Sequence, residues 1–207
     1  MNQRLSQTGF LAIYGAGGHG LVVAEAATAA GWRVIGLIDA AKPIGTKVGL
    51  WQVIGEDASQ QPSVEVMVAI GDNTQRQLLT KHLVEAGRTL AVVIHPSAML
   101  SPSAMIGAGT FIGPMSVLHA ECYVGQGVII NTGAIVEHHC NIGNFAHIAP
   151  RVALAGNVDV GDLTLVGIGA CVKPQVKIGS RCTIGAGSVV VKAIADGKRV
   201  MGVPARE

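Results

Sequence analysis

Ile94, Leu100, Ile106 and every sixth residue after them as far as Val190 are Ile, Leu or Val, with no slip of register. A period of six fits neither the turn of an amphipathic helix nor the simple alternation of a half-buried strand. It fits a parallel β-solenoid, a triangular coil in which three hexads make one turn. The run predicts a little over five coils. With neighbouring strands about 4.8 Å apart, that is a prism on the order of 25 Å long. The same arithmetic stacks residues 18 apart, placing His138 between Ala120 and Gly156 and His139 between Glu121 and Asn157. Small neighbours leave His138 room on one face of the prism.

The pattern ahead of the solenoid is different. Residues 11–14 form a short apolar strand, GAGGHG a glycine turn, and residues 21–30 an Ala-rich segment with helical spacing. A second strand over residues 34–38 ends at Asp39, a third over residues 64–70 ends at Gly71, and residues 74–86 read as a helix closed by Gly87. Residues 90–94 are the last strand. Strands alternating with helices predict a small parallel α/β sheet, half a Rossmann fold in extent. His95-Pro96 marks the junction, because the residue before a proline is pushed out of helix. Two domains follow, residues 1–93 and residues 94–207, the second closed by the tail VKAIADGKRVMGVPARE.

Composition agrees with a narrow solenoid. The chain is 49% hydrophobic but only 3% aromatic, with 28 glycines among 207 residues. Stacked aliphatic residues turned at glycine need few aromatic rings. The net charge of +2 is too small, and its bases too scattered, to track a nucleic-acid backbone. No stretch approaches a membrane span and the N-terminus lacks an apolar leader core, so a cytoplasmic protein is expected. The four cysteines form no CxxC pair; Cys122, Cys140 and Cys182 fall at the fifth place of a hexad and read as small core residues.

Gly15, Gly17 and Gly20 satisfy G-x-G-x-x-G after a strand and at the start of a helix, where backbone N–H groups and the helix dipole favour a phosphate. Asp39, 19 residues after Gly20, ends the second strand where a carboxylate reaches ribose hydroxyls. Three readings stay open: a nucleotide or nucleotide-sugar site, a structural turn, and a dinucleotide site, which the truncated fold disfavours. The His19 imidazole is expected at the mouth of the site, donating to a phosphate or sugar, or else as a solvated residue at the helix start. In the solenoid, His138 and His139 are followed by His147. Acyl transfer from a thioester needs a base that titrates near neutrality, which histidine supplies. Surface histidines are the bland alternative, and without a carboxylate or cysteine set around them the three make a weak metal signature.

GAGGHG near the start, IHPSA at the junction, N-x-x-A-x-x-E-H-x-C-x-I-G-x-x-x-H-I-A-P in the middle and GVPA near the end together resemble the NeuD/PglD-type sugar O- or N-acetyltransferases, over nearly the whole chain. The resemblance implies a Rossmann-like half-domain holding a nucleotide-linked amino sugar. It also implies a left-handed β-helix that binds acetyl-CoA, the co-substrate, between the subunits of a homotrimer, with no metal. It makes His138 the general base, Asn131 a polar group near the reacting centre and His147 a contact to acetyl-CoA. Gly156 would offer its N–H to the thioester carbonyl, and Ile168 and Ala186 would line the CoA cleft. Gly17, Gly18, His19 and Asp39 match the sugar-nucleotide loop and strand end, and Gly15 and Gly71, from the glycine motif and the end of the third strand, join them as substrate-binding candidates. In one respect the chain departs from the family, which commonly puts a carboxylate just after the catalytic histidine; here that place is His139. Glu137 or another acidic group would have to compensate, or the acceptor amine needs less help. The expected acceptor is the 4-amino group of a UDP-linked 4-amino-4,6-dideoxy sugar for bacterial glycans. O-acetylation of a sialic acid or another sugar, and a non-catalytic solenoid that binds nucleotide sugars, are the alternatives.

Overall fold

The computed structural model describes residues 8–58 and 64–207. Part of the N-terminal stretch read above for a leader lies outside the described residues. The α/β unit runs β1 (Gly9–Tyr14), α1 (Gly18–Ala29), β2 (Trp32–Ile38), β3 (Lys47–Val48), β4 (Trp51–Gly55), β5 (Glu65–Val68) and α2 (Asn73–Glu85). Its sheet order is β3-β4-β2-β1-β5, parallel except for the β3–β4 edge. The order reverses at β1, so the carboxyl ends of β2, β1 and β5 open on a crevice of the kind in which α/β sheets bind ligands.

Two features depart from the expected pattern. β3 and β4 were not anticipated, since they are short and punctuated by Gly45, Gly49 and Gly55. The strand expected over residues 90–94 divides between the two units. Leu90 bridges Val66 in the α/β sheet, and the Ala91 N–H still donates to the Val66 carbonyl. Val93 then donates to Thr110, and Val93–Ile94 becomes the first rung of the solenoid.

The solenoid is a left-handed parallel β-helix of two-residue strands on three faces. The first face runs from Met99–Leu100 to Val189–Val190, the second from Met105–Ile106 to Lys177–Ile178, and the third from Val93–Ile94 to Arg199–Val200. They hold six, five and seven strands, because the tail adds a rung beyond the hexad run. From Ile112 onward every sixth-residue aliphatic points inward and is buried, joined by Cys122, Cys140 and Cys182 as expected. Burial, with Cys140 nearby, pushes the Cys122 thiol up to about 11, and burial raises Cys140 too, which leaves both protonated and unreactive at neutral pH.

The corners explain the period. Met115, Glu121, His139, Phe145, Arg151, Asn157, Leu163, Gln175 and Arg181 all have φ between 56° and 63°, and glycine takes the other equivalent places. Left-handed backbone costs an ordinary residue about 1–2 kcal/mol. A hydrogen bond to the preceding coil accompanies it: His139 N–H to the Ala120 carbonyl and Asn157 N–H to the His138 carbonyl, each at 3.0 Å. The side chains at these places therefore stack in a column along each edge.

The α/β unit packs on the third face. α1 buries Val23, Ala24, Ala26 and Ala27 in a core that continues into Val93, Phe111 and Ile129 of the solenoid. Arg76, on α2, is wholly buried and fastens the two parts. Its guanidinium donates to the carbonyls of Ile70 (2.8 Å), Gly127 (2.7 Å) and Phe145 (2.8 Å) and to the Asn73 side chain, while Asn73 donates in turn to the Leu163 carbonyl. Burial lowers the Arg76 pKa to about 10, against an upward pull from Asp72, so the charge persists at neutral pH.

Candidate active site

The expected nucleotide residues converge at the carboxyl ends of three adjacent strands. Gly15 follows β1, with φ 117° and its N–H bonded to the Ile38 carbonyl. Gly17 caps α1 without a side-chain hydrogen bond, and no acidic residue occupies the first turn, so the helix start is open to an anion. A Cβ on Gly17 or Gly18 would meet nothing within 4 Å, whereas one on Gly20 would collide with the Gly15 carbonyl. Gly20 thus lets the helix pack on the loop, and Gly17 and Gly18 face open space. Asp39 holds the loop: Oδ2 accepts from the Ala16 N–H and Oδ1 from the Ala41 N–H, both at 2.9 Å. Only its remaining lone pairs are available for a ribose. Lys42, which the sequence reading missed because no motif marks it, donates to the Ala16 carbonyl at 2.6 Å and adds a cation beside the loop.

His19 does not stand at the mouth. It turns inward, its ring edge-on to Phe111 with centroids 5.5 Å apart and its Nε2 enclosed with no partner among the described residues. The apolar third face, which Phe111 carries, draws the ring in. His147 lies 6.5 Å from it between centroids, and its Nε2 meets the Asn131 amide at 3.2 Å. The Gly71 carbonyl, which also accepts from Arg76 at 3.2 Å, favours protonation of His147. Burial wins, with Arg76 reinforcing it, and both histidines are lowered to about 4.

A pH dependence follows. At pH 7 both imidazoles are neutral in the folded and unfolded chain, and below about pH 6.5 only the unfolded chain takes up these protons. Stability therefore falls on acidification from pH 6.5 toward 4, by about 1.4 kcal/mol per pH unit for each histidine, and gains nothing above that window. Urea unfolding at pH 7 and pH 5, compared with the same pair for His147→Gln, measures this contribution. An acid loss unchanged in the variant would contradict it.

A second group of residues lies on the edge between the first and second faces. His138 follows the strand Ile135–Val136 and packs on Gly156, where a Cβ would come within 2.6 Å of its Nε2. Only glycine leaves the ring this position. Among the described residues the Gly156 N–H has no acceptor, while its carbonyl accepts from Gln175 at 3.0 Å. His138 Nδ1 lies 2.9 Å from His139 Nδ1, and His139 Nε2 lies 3.1 Å from Glu121 Oε2. Glu137 turns back to His119 at 3.7 Å and makes no bond to His138.

The two groups are not joined. His138 is on the first–second edge, whereas His147 opens a strand of the third face. Ile168, an exposed aliphatic, and Ala186 lie on yet another edge, between the third and first faces, one coil apart and linked by the Gly187 N–H to the Ile168 carbonyl at 2.8 Å. Among the described residues no three of His, Cys, Asp and Glu are grouped to hold a metal ion, and no helix is long and apolar enough to cross a membrane.

Comparison with known proteins places this architecture. The PglD N-terminal domain model matches residues 10–83. The acetyltransferase domain of PglB from Neisseria gonorrhoeae is 38% identical, covers 95% of this chain and 98% of its own, and superposes with a TM-score of 0.89; it has also been solved with acetyl coenzyme A. PerB from Caulobacter crescentus, solved with CoA and GDP-perosamine, is 39% identical over 96% of each chain with a TM-score of 0.90. UDP-N-acetylbacillosamine N-acetyltransferase of Bacillus subtilis is 36% identical over 108 residues, 49% of this chain and 50% of that relative, so the match spans about half of the curated protein's length. The chain belongs to the family of PglD-type sugar N-acetyltransferases.

Proposed function

We propose that this protein transfers the acetyl group of acetyl-CoA to the 4-amino group of a nucleotide-linked 4-amino-4,6-dideoxy sugar, with His138 as general base and no acyl-enzyme. The observation that carries the reading is the pairing of His138 with Gly156, an imidazole on an open edge beside a backbone N–H without an acceptor. The amine attacks the thioester carbonyl as His138 Nε2 takes its proton. The Gly156 N–H steadies the oxyanion, the C–S bond breaks, and CoA leaves as thiolate. Cys140, two residues from His138, is buried and donates from Sγ to the Ala155 carbonyl at 3.2 Å, and the buried thiols with raised pKa make poor nucleophiles.

The sugar nucleotide fits the open N-terminus of α1 through its diphosphate, with Lys42 alongside. The relatives support the substrate class: one is named for a UDP sugar and another was captured with GDP-perosamine. UDP is the expected nucleotide and GDP the alternative. His138 and the Ile168–Ala186 pair occupy different edges of one prism, so one protomer cannot place both on a single cleft. A homotrimer that sets the first–second edge of one copy against the third–first edge of the next does.

A thermal-shift panel of UDP-, GDP- and dTDP-amino sugars, with and without acetyl-CoA, tests the reading on protein whose mass is read by sedimentation equilibrium. A ligand at 100 times its Kd stabilises the native state by about 2.7 kcal/mol. The expected results are shifts with acetyl-CoA and with one nucleotide class, CoA release with that sugar, and a mass of three copies. Binding without CoA release would favour a non-catalytic nucleotide-sugar protein. Turnover of free sialic acid with no nucleotide shift would favour O-acetylation.

A further inference from the structure

We infer that Glu121, acting through His139, is a positioning residue that sets the tautomer of His138; this rests on the reading of His138 as the base. The family pattern of a carboxylate directly after the base is broken here, and the fold supplies one from the preceding coil. Glu121 and His139 occupy the same corner place 18 residues apart, both with left-handed backbone, φ 57° and 58°. Their side chains are therefore stacked neighbours, as the 3.1 Å contact between Glu121 Oε2 and His139 Nε2 records.

The chemistry of the donors then runs one way. A carboxylate only accepts, so His139 Nε2 carries the proton and donates to Glu121. In a neutral imidazole the other nitrogen is then an acceptor, which makes His139 Nδ1 the acceptor of the 2.9 Å bond from His138 Nδ1–H. That leaves the lone pair of His138 on Nε2, which with Cε1 forms the part of the ring closest to Gly156. When Nε2 takes the proton of the amine, the imidazolium keeps donating from Nδ1 to His139, and His139 keeps donating to Glu121. No proton needs to pass along the chain, since the charge is stabilised through the two bonds. Without Glu121, His139 is free to donate from Nδ1 instead. His138 Nδ1 becomes the acceptor, and Nε2 carries a hydrogen that blocks it as a base. Glu137, engaged with His119, does not substitute.

The test combines kinetics with ¹⁵N NMR of the histidine-labelled protein. Glu121→Gln is expected to lower kcat about 10- to 100-fold with KM for acetyl-CoA unchanged, as loss of a group that orients a base does. His139→Ala should cost a similar factor and the double variant little more, because the two act as a unit. His139→Asp, which accepts left-handed backbone and places a carboxylate beside His138, is expected to keep activity within about tenfold of the parent and to remove the effect of Glu121→Gln. The spectrum should show His138 as the Nδ1–H tautomer in the parent and as the Nε2–H tautomer in Glu121→Gln. Parental kcat in Glu121→Gln or additive losses overturn the inference while leaving the base assignment intact, whereas an Nε2–H His138 in the parent overturns both the inference and Nε2 as the accepting atom. An active His138→Ala protein overturns the base assignment itself.

Discussion

His138→Ala will transfer acetyl groups about 10²–10⁴-fold more slowly than the parent, the factor typical of a positioned general base. The loss should fall on kcat, with KM for acetyl-CoA little changed. The reason lies in the separation of roles around the edge. Ile168 and Ala186, proposed to line the CoA cleft, belong to a different edge from His138, so truncating the imidazole removes the base and leaves that wall intact. On the proposed mechanism the residual rate reflects orientation and the Gly156 N–H. Steady-state kinetics with the sugar nucleotide identified by thermal shift measures the split. Near-normal turnover would remove His138 from the chemistry, and a loss confined to KM would make it a binding residue.

Arg76→Ala is expected to be the most destabilising single change, by about 3–5 kcal/mol. Removing the guanidinium leaves the Ile70, Gly127 and Phe145 carbonyls buried without this donor, at about 1–3 kcal/mol for each group that finds no other. For a chain of this size each kcal/mol lowers Tm by roughly 2–4 °C. The direction of failure is also specific. Arg76 and Asn73 hold α2 to the solenoid, so the α/β unit should melt ahead of the β-helix and split one calorimetric transition into two. Arg76→Met, which keeps the bulk of the stem without the donors, should behave similarly. A single transition at the parental temperature in both variants would show that the apolar contact of α1 with Phe111 and Ile129 holds the units together unaided.

The solenoid was legible because its signal repeats: each inward position samples the same environment on every coil, so one rule accounts for the buried aliphatic at every sixth place from Ile112 to Val190. The α/β unit carried its signal once per element. The long strands and both helices were visible, whereas β3 and β4 are too short for any periodicity, and the division of residues 90–94 depends on which sheet receives each hydrogen bond. Site residues followed the same division. The proximity of His138 to Gly156 and of His139 to Glu121 is implicit in the 18-residue register, whereas the 2.9 Å contact between His138 and His139 depends on side-chain rotamers that the register does not describe. The inward turn of His19, the use of Asp39 to hold its own loop and the arrival of Lys42 beside it are tertiary facts, set by packing on a face that local sequence does not describe.

The columns of left-handed corners also make position in this chain a matter of remainder. Coils repeat every 18 residues, so gaining or losing one whole coil slides the later part of the prism along its axis by about 4.8 Å and returns every side chain to its own edge. Gaining or losing a single hexad keeps the core pattern intact but turns everything downstream by a third of a revolution. Inserted between Glu121 and His138, such a hexad would leave a foldable solenoid whose imidazole no longer stacked on Ala120 and whose Glu121 no longer lay beneath His139. Hydrophobic periodicity tolerates both changes equally, and only the cleft distinguishes them. Length variation among working relatives of this fold is therefore expected outside the span from Glu121 to Gly156, where an added coil would separate stacked neighbours, and in whole hexads beyond the last residue proposed to line the cleft.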